Sequence, residues 1–370
     1  MTHALLPEGL RDRLPPEAEA AAAILRAALD AVAGHGYERV APPLAEFEES
    51  LVGRLKSASA RDLLRVVDPV SQRTLALRPD ITTQVGRIAT TRMAHRARPL
   101  RLSYGGPVMK LRATQLRPER EMTQLGAELI GRDSAAAAAE IAVVAIEALA
   151  AAGAPRITID LTLPDLVDVL AAGPLPLAPV DIARVRCLLD AKDAGGLVAA
   201  GAHAYLPLIE AAGPFAEAVT RLRAIDADGA LATRLAALEQ IAARIGDAAQ
   251  ITLDPTERHG FEYQSWLGFS LFVDGLAGEI GRGGTYTILS DTGCEEPAVG
   301  FSIYPDPLIE RVARTAADHR LFLPLGHDQA AAEAMRAQGW STVAALDARC
   351  DARALGCSHV LDGAAAVPLG

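Results

Sequence analysis

The segment Arg101–Gly131, RLSYGGPVMKLRATQLRPEREMTQLGAELIG, constrains the fold of this chain more than any other. Both ends carry apolar residues in strand-like alternation, and the middle is rich in Arg and Lys. That pattern predicts two antiparallel strands joined by a long basic loop. In the second strand Met122, Leu125, Ala127, Leu129 and Ile130 mix alternating with continuous apolar character. The sheet is therefore expected to be buried on one face and partly on the other. Gln124 and Glu128 lie four residues apart, a spacing that puts both side chains on the same side of a strand. They are either two walls of a pocket or a polar pair on the wet face of an amphipathic strand.

Length and composition bound what such a sheet belongs to. A chain of 370 residues, half of them hydrophobic, suits one large domain with a small satellite. Lys plus Arg is 36 against 46 for Asp plus Glu, a net charge of −10. A tRNA-gripping chain needs a basic stripe or an added basic domain, and neither is visible, so tRNA is not an expected partner. Cys187, Cys294, Cys350 and Cys357 show no CxxC pairing, which fits a reducing cytoplasm. The polar start lacks a hydrophobic signal region, and the Ala-rich stretches are regularly broken by charge, so no membrane span is expected.

The first helix is expected over about residues 17–34, with Asp12 as a candidate cap of the turn before it, Pro15–Pro16 at its start and Gly34–Gly36 at its end. Tyr37–Val40 suggests a strand running into Pro42–Pro43. LLRVVD and TLALRPD, with a turn near Pro69–Gln72, read as a hairpin. From Thr82 onward Val85, Ile88 and Ala89 mark a helical face. Asp80 just before it is either a helix cap or a receptor for a cationic ligand. A helix at 135–153 and a strand at 156–161 follow. Residues 162–250 break into short helical segments, a helical insertion without fixed repeat. The tail, 319–370, reads as a small β-α-β-α-β unit after a main domain of residues 1–318. Cys350, Cys357 and His359 lack a fourth partner at metal-site spacing, so buried thiols rather than a metal are expected.

Several of these phrases resemble the class II aminoacyl-tRNA synthetases of the histidyl type. MTQLGAELIG matches the second half of their motif 2, LRPDIT their Leu-Arg-Pro-Glu-Gly-Thr, and Gly260–Tyr263 part of their Arg-Gly-Leu-Asp-Tyr-Tyr. Gly283, Gly284 and Tyr286, then PAVGFSI, match their motif 3. The resemblance implies an α+β fold in which an antiparallel sheet is flanked by helices. It also implies a dimer formed through motif 1, here the helix and strand ending at Pro42. By the same resemblance Asp80, Thr82, Gln124, Glu128, Tyr263 and Tyr286 line a histidine pocket. A neutral imidazole offers one donor and one acceptor, and a buried Glu or Gln satisfies either.

The nucleotide half departs from that pattern. Lys110 and Arg112 stand where the family has Arg and Glu, His259 where it has Arg, and Pro307 where motif 3 has its ATP-binding Arg. Lys110 keeps a charge but loses the planar fork that reads phosphate, and Arg112 inverts the sign of a contact. Adenylation relies on fixed cations around the phosphates, so the chain is not expected to activate an amino acid or to need a cofactor. Arg258 is a candidate substitute for the missing Arg, and His259 is a general base or an ordinary loop histidine. Together with the short tail, these losses make the chain resemble one branch of the family, the regulatory subunits of ATP phosphoribosyltransferase. That branch implies no catalysis of its own, a short-form catalytic subunit as partner in a hetero-octamer, and histidine as effector in the first step of histidine biosynthesis. Two alternatives stay open: a divergent active histidyl-tRNA synthetase, and a stand-alone sensor of uncharged tRNA.

Overall fold

The computed structural model describes residues 5–51, 63–111, 119–226, 228–258, 264–290, 293–315 and 320–369. Helix α1 (Glu17–Gly34) starts where expected; Pro16 holds the cap position without a side-chain bond. Its buried residues Ala20, Ile24, Ala28, Leu29 and Val32 form one stripe at helical spacing. The short strand β1 (Glu38–Arg39) follows. Strand β2 (Ala45–Phe47), helix α2 (Glu48–Leu51) and the hairpin β3 (Arg65–Val67) and β4 (Thr74–Leu77) come next. These three strands make a small sheet of order β2-β4-β3. The expected hairpin turn is closed by the Asp68 carboxylate, which accepts from the amides of Val70 and Ser71, with Gln72 in the left-handed region.

Helix α3 (Thr82–Thr90), strands β5 (Leu100–Met109) and β6 (Glu121–Ile130), helix α4 (Ala135–Ala151) and strand β7 (Ile157–Thr162) form the heart of the main unit. β5 and β6 pair antiparallel from Leu100 opposite Ile130 to Met109 opposite Glu121, as their alternation predicts. The next segment holds α5 (Leu166–Ala171), α6 (Pro179–Asp190), α7 (Ala194–Ala199), a 3₁₀ stretch at His203–Ala211, β8 (Gly213–Pro214), α8 (Phe215–Ile225), α9 (Ala232–Ile245) and β9 (Gln250–Leu253). It is mostly helical but woven into the main unit. The stripe Leu235, Leu238, Ile241 and Ile245 of α9 is buried and α9 packs on α4, while β8 and β9 extend the sheet. α4 is apolar nearly all round, the signature of a helix covered on several sides.

Strands β10 (Gly268–Val273), β11 (Gly281–Leu289) and β12 (Glu295–Ile303) and helix α10 (Asp306–Thr315) complete this part. The main sheet has nine strands in the order β1-β5-β6-β12-β11-β10-β7-β9-β8. It is antiparallel from β5 through β7 and parallel only where β1 joins β5 and β9 joins β7. The β7–β9 connection runs through helices, which is how parallel neighbours must be joined. α1 and α4 cover one face. There Arg101 of β5 bonds Glu140 of α4, and a Cβ on Gly105 would meet Leu25 of α1 at 2.8 Å. The opposite face carries the candidate site under the start of α3.

The chain divides into two compact units, Met1–Arg311 and Val312–Gly370. The second holds β13 (Arg320–Leu323), α11 (Gln329–Ala337), β14 (Ser341–Ala344), β15 (His359–Asp362) and β16 (Ala365–Pro368), in the sheet order β14-β13-β15-β16. It departs from the expected β-α-β-α-β unit. Residues 352–356 form turns rather than a helix, and β15 and β16 close an antiparallel hairpin. ARALGC is too short to nucleate a helix in water, and Gly356 adopts a left-handed conformation that ends it.

Candidate functional site

On the α3 side of the sheet every second residue of β5, β6, β11 and β12 points inward. Leu100, Leu102, Tyr104, Val108, Met122, Ile130, Tyr286, Ile288 and Ala298 pack with Ile81, Val85 and Ala89 into one apolar cluster. Set into it are Gln124 and Glu128, 0% and 1% exposed, so the solvent-facing alternative for this pair is excluded. Room for them comes from glycine. Gly300 lies opposite Glu128 across the strand pair, and a Cβ there would fall 1.6 Å from the Glu128 carboxylate. A Cβ on Gly126 would sit 2.4 Å from the Tyr104 hydroxyl.

The polar side chains close on one another. Gln124 donates its amide to Asp80 Oδ2 and to Ser302 Oγ, both at 2.8 Å, and accepts from the Ile81 amide at 2.9 Å. The Tyr104 hydroxyl donates to Glu128 Oε1 at 3.0 Å and lies 3.0 Å from both Ser302 Oγ and Thr82 Oγ1. Tyr286 donates to Glu128 Oε2 at 2.7 Å. Asp80 takes the first of the roles open to it in the sequence, at the start of α3, and turns its second oxygen into the network. Its Oδ1 accepts from the Thr82 amide at 2.7 Å at the start of α3, while its Oδ2 takes Gln124 and, at 3.4 Å, Tyr304. Five of the six residues of the expected pocket, Asp80, Thr82, Gln124, Glu128 and Tyr286, thus meet in one network. The sixth, Tyr263, lies outside the described residues.

Glu128 is electrostatically the unusual member. Burial pushes its carboxyl up to about 8, against the opposing pull of the Tyr286 and Tyr104 hydroxyls, and the nearby Asp80 adds to the rise. Burial also drives the Tyr104 hydroxyl far above its ordinary range. Glu128 borders a cavity of about 20 Å³, with Thr82, Gln264, Arg282 and Tyr286 among its other walls. That volume holds about one water molecule. Gln264 closes one side, donating to the Gly283 carbonyl at 2.8 Å, over Gly268 and Gly284, where a Cβ would lie 2.2 and 2.9 Å from its amide.

The nucleotide end is arranged differently. Lys110 stands 5.9 Å from the ring of Tyr304, a cation–π contact. Pro307 is exposed in the first turn of α10. Arg112 and His259 lie outside the described residues, and the Arg258 amide donates to Asp190 at 2.8 Å. Beside Pro307 an acid points inward: Asp306 accepts from the Thr123 amide at 3.0 Å and from the Arg13 guanidinium. Burial raises the Asp306 carboxyl in spite of Arg13. Arg13 also donates to Thr123 Oγ1, and the Arg120 amide donates to Gly9, so the N-terminal arm is fastened to the base of the β5–β6 loop.

Tyr104, Ser302, Tyr304, Asp306 and Arg13 were not singled out from the sequence. Tyr104 and Ser302 carry a usable signal. Once β5 is registered on β6, period 2 places Tyr104 on the Glu128 face, and Ser302 lies two residues beyond Gly300, the glycine opposite Glu128. Among the described residues no three His, Cys, Asp or Glu are placed to hold a metal ion, and no helix is long and apolar enough to cross a membrane.

A family model described as histidyl-tRNA synthetase matches residues 9–308. The ATP phosphoribosyltransferase regulatory subunit of Paramagnetospirillum magneticum is 44% identical over 369 residues, covering 97% of this chain and 96% of that protein. That of Rhodospirillum centenum is 42% identical over 370 residues, covering 97% and 95%. The chain belongs to the ATP phosphoribosyltransferase regulatory subunit family, a histidyl-tRNA synthetase-like group. A crystal structure of a Bacillus halodurans protein described as an ATP phosphoribosyltransferase regulatory subunit/histidyl-tRNA synthetase superposes with a TM-score of 0.78 at 24% identity, covering 95% of this chain and 96% of that one. It supports the class II synthetase-like fold expected from the motifs.

Proposed function

We propose that this chain is a non-catalytic regulatory subunit that partners a short-form ATP phosphoribosyltransferase in the first step of histidine biosynthesis, and that histidine acts on it as feedback effector. The observation that carries the reading is an asymmetry. The Asp80–Thr82–Gln124–Glu128–Tyr286 network is intact and, apart from the half-buried Asp80, buried, whereas the nucleotide end has an exposed Pro307 and an inward-facing Asp306. Asp306 is there paired with Arg13, and Pro307 supplies no cation, whereas adenylation needs fixed cations around the phosphates. Family membership supports the regulatory role. In this reading Asp80 receives the ammonium group of histidine, and Glu128 and Tyr286 meet its ring. The cavity of about 20 Å³ is far below the ~300 Å³ and more of typical small-molecule pockets. Histidine therefore enters by displacing internal partners, with the Gln124 amide leaving Asp80. Self-association through α1 and β1, within a hetero-octamer, belongs to the same proposal.

The test is co-purification with a short-form phosphoribosyltransferase and assay of its activity with and without this chain. Activity should depend on the chain. Histidine inhibition should weaken about tenfold or more in Asp80→Ala, Gln124→Ala and Glu128→Ala, while complexes still assemble. The coupling at stake is of order 1–3 kcal/mol. Unchanged inhibition in all three variants would place the effector elsewhere, and histidine-dependent ATP–pyrophosphate exchange by the chain alone would refute the non-catalytic role.

A further inference from the structure

Resting on the histidine-site reading, we propose that Glu128 selects its ligand by protonation: it holds a carboxyl proton in the empty site and gives or shares it with a basic ring nitrogen of the ligand. The geometry argues for this. Glu128 is fully buried, and both of its oxygens accept from tyrosine hydroxyls, Tyr104 of β5 and Tyr286 of β11. From β12 it faces Ser302 and Gly300, and from the start of α3 the neutral Thr82 and the acidic Asp80. Arg282 on the cavity wall is bonded to Glu279. Burial and the nearby acid Asp80 make the carboxylate costly and outweigh the Tyr104, Tyr286 and Thr82 hydroxyls, which favour it, so the neutral form is favoured. Each oxygen accepts one tyrosine hydroxyl and keeps a second position, from which the acid proton can reach a group in the cavity that Glu128 borders.

An imidazole, with an unperturbed pKa of ~6.5, is matched to that proton. On binding, the O–H bond of Glu128 is lost or shared and an N–H bond gained, leaving a carboxylate–imidazolium pair with no net charge. A ring of the same size without a basic nitrogen leaves the acid unpaired. A permanently cationic side chain must expel the proton to solvent.

Isothermal titration of the full-length chain with L-histidine, in pairs of buffers of different ionisation enthalpy, counts the protons exchanged. Near pH 7.2 the count should be close to zero. Near pH 8.7, where Glu128 has begun to ionise, the wild type should take up protons that Glu128→Gln does not; the α-amino group of histidine contributes equally to both. Thienylalanine, a ring isostere without a basic nitrogen, should bind wild type about 100-fold more weakly than histidine. Equal proton uptake by the two proteins at pH 8.7, or thienylalanine binding as tight as histidine, would overturn the proposal. Absence of histidine binding at every pH would instead sink the histidine site itself.

Discussion

The Glu128 carboxyl makes a quantitative prediction that does not depend on any ligand. Its titration sits at about 8 in the folded chain against an ordinary value of 4.5. Between those two values the folded state binds more protons than the unfolded state, so stability falls as pH rises. The contribution is fully present below about 4.5 and is lost as pH climbs through the folded value. At about 1.4 kcal/mol per pH step, the ceiling is about 5 kcal/mol across that window. Water penetration and relaxation around the ionised group bring the expected loss nearer 2–3 kcal/mol. Glu128→Gln removes the titration but keeps the shape. Its carbonyl can accept from Tyr286, and its amide can donate to Tyr104, whose hydroxyl then turns to Ser302. The variant should match wild type within about 1 kcal/mol at pH 5 and exceed it by about 2–3 kcal/mol at pH 8.5. Urea melts of both proteins at half-unit steps from pH 5 to pH 9 measure the difference, in which all other titrations cancel. A difference that stays flat across that range would show that Glu128 is ionised in the folded chain at neutral pH, and the account of the site would fail.

Other perturbations test the frame around it. Gly300→Ala puts a methyl 1.6 Å from the Glu128 carboxylate and 2.8 Å from the Ala127 carbonyl; the carbonyl belongs to a paired strand and the carboxylate is buried between two tyrosines, so denaturant melts should show a loss of at least about 3 kcal/mol. Tyr286→Phe removes one of the two donors to Glu128. It should cost about 1–2 kcal/mol and, because that hydroxyl lowers the Glu128 titration, shift the pH dependence of stability further to the alkaline side. Arg13→Ala leaves Asp306 without its guanidinium partner. Limited proteolysis should then cut the arm around residues 5–16 several-fold faster, while far-ultraviolet circular dichroism stays unchanged.

The parts of the site that were legible in the sequence rest on local signals or on the family's motifs, strand period first among them. Gln124 and Glu128 are separated by an even number of residues, so any strand through them presents both to one face, and the antiparallel pairing of β5 with β6 does the rest. Asp80 was legible because a cap and an ammonium receptor both demand an acid at the start of α3, and Thr82 only through the family's motif; the Asp80 carboxylate serves two partners with its two oxygens. The closure of the pocket was not legible. It is made by contacts such as Gln124 to Ser302, 178 residues apart, and by Gln264 lying over Gly268 and Gly284, which no local spacing encodes. The second helix of the C-terminal unit failed for the opposite reason, since ARALGC has helical residues but too few of them to meet the cost of nucleation. The nucleotide end combines the two cases. Pro307 could be seen to lack a guanidinium, but the turn of Asp306 toward Arg13 and Thr123 is a tertiary choice. That choice adds to the missing Arg. It ties the Arg13 guanidinium to Asp306 instead of leaving it for a phosphate, so restoring Arg at 307 alone should not restore ATP binding as long as Asp306 keeps its place.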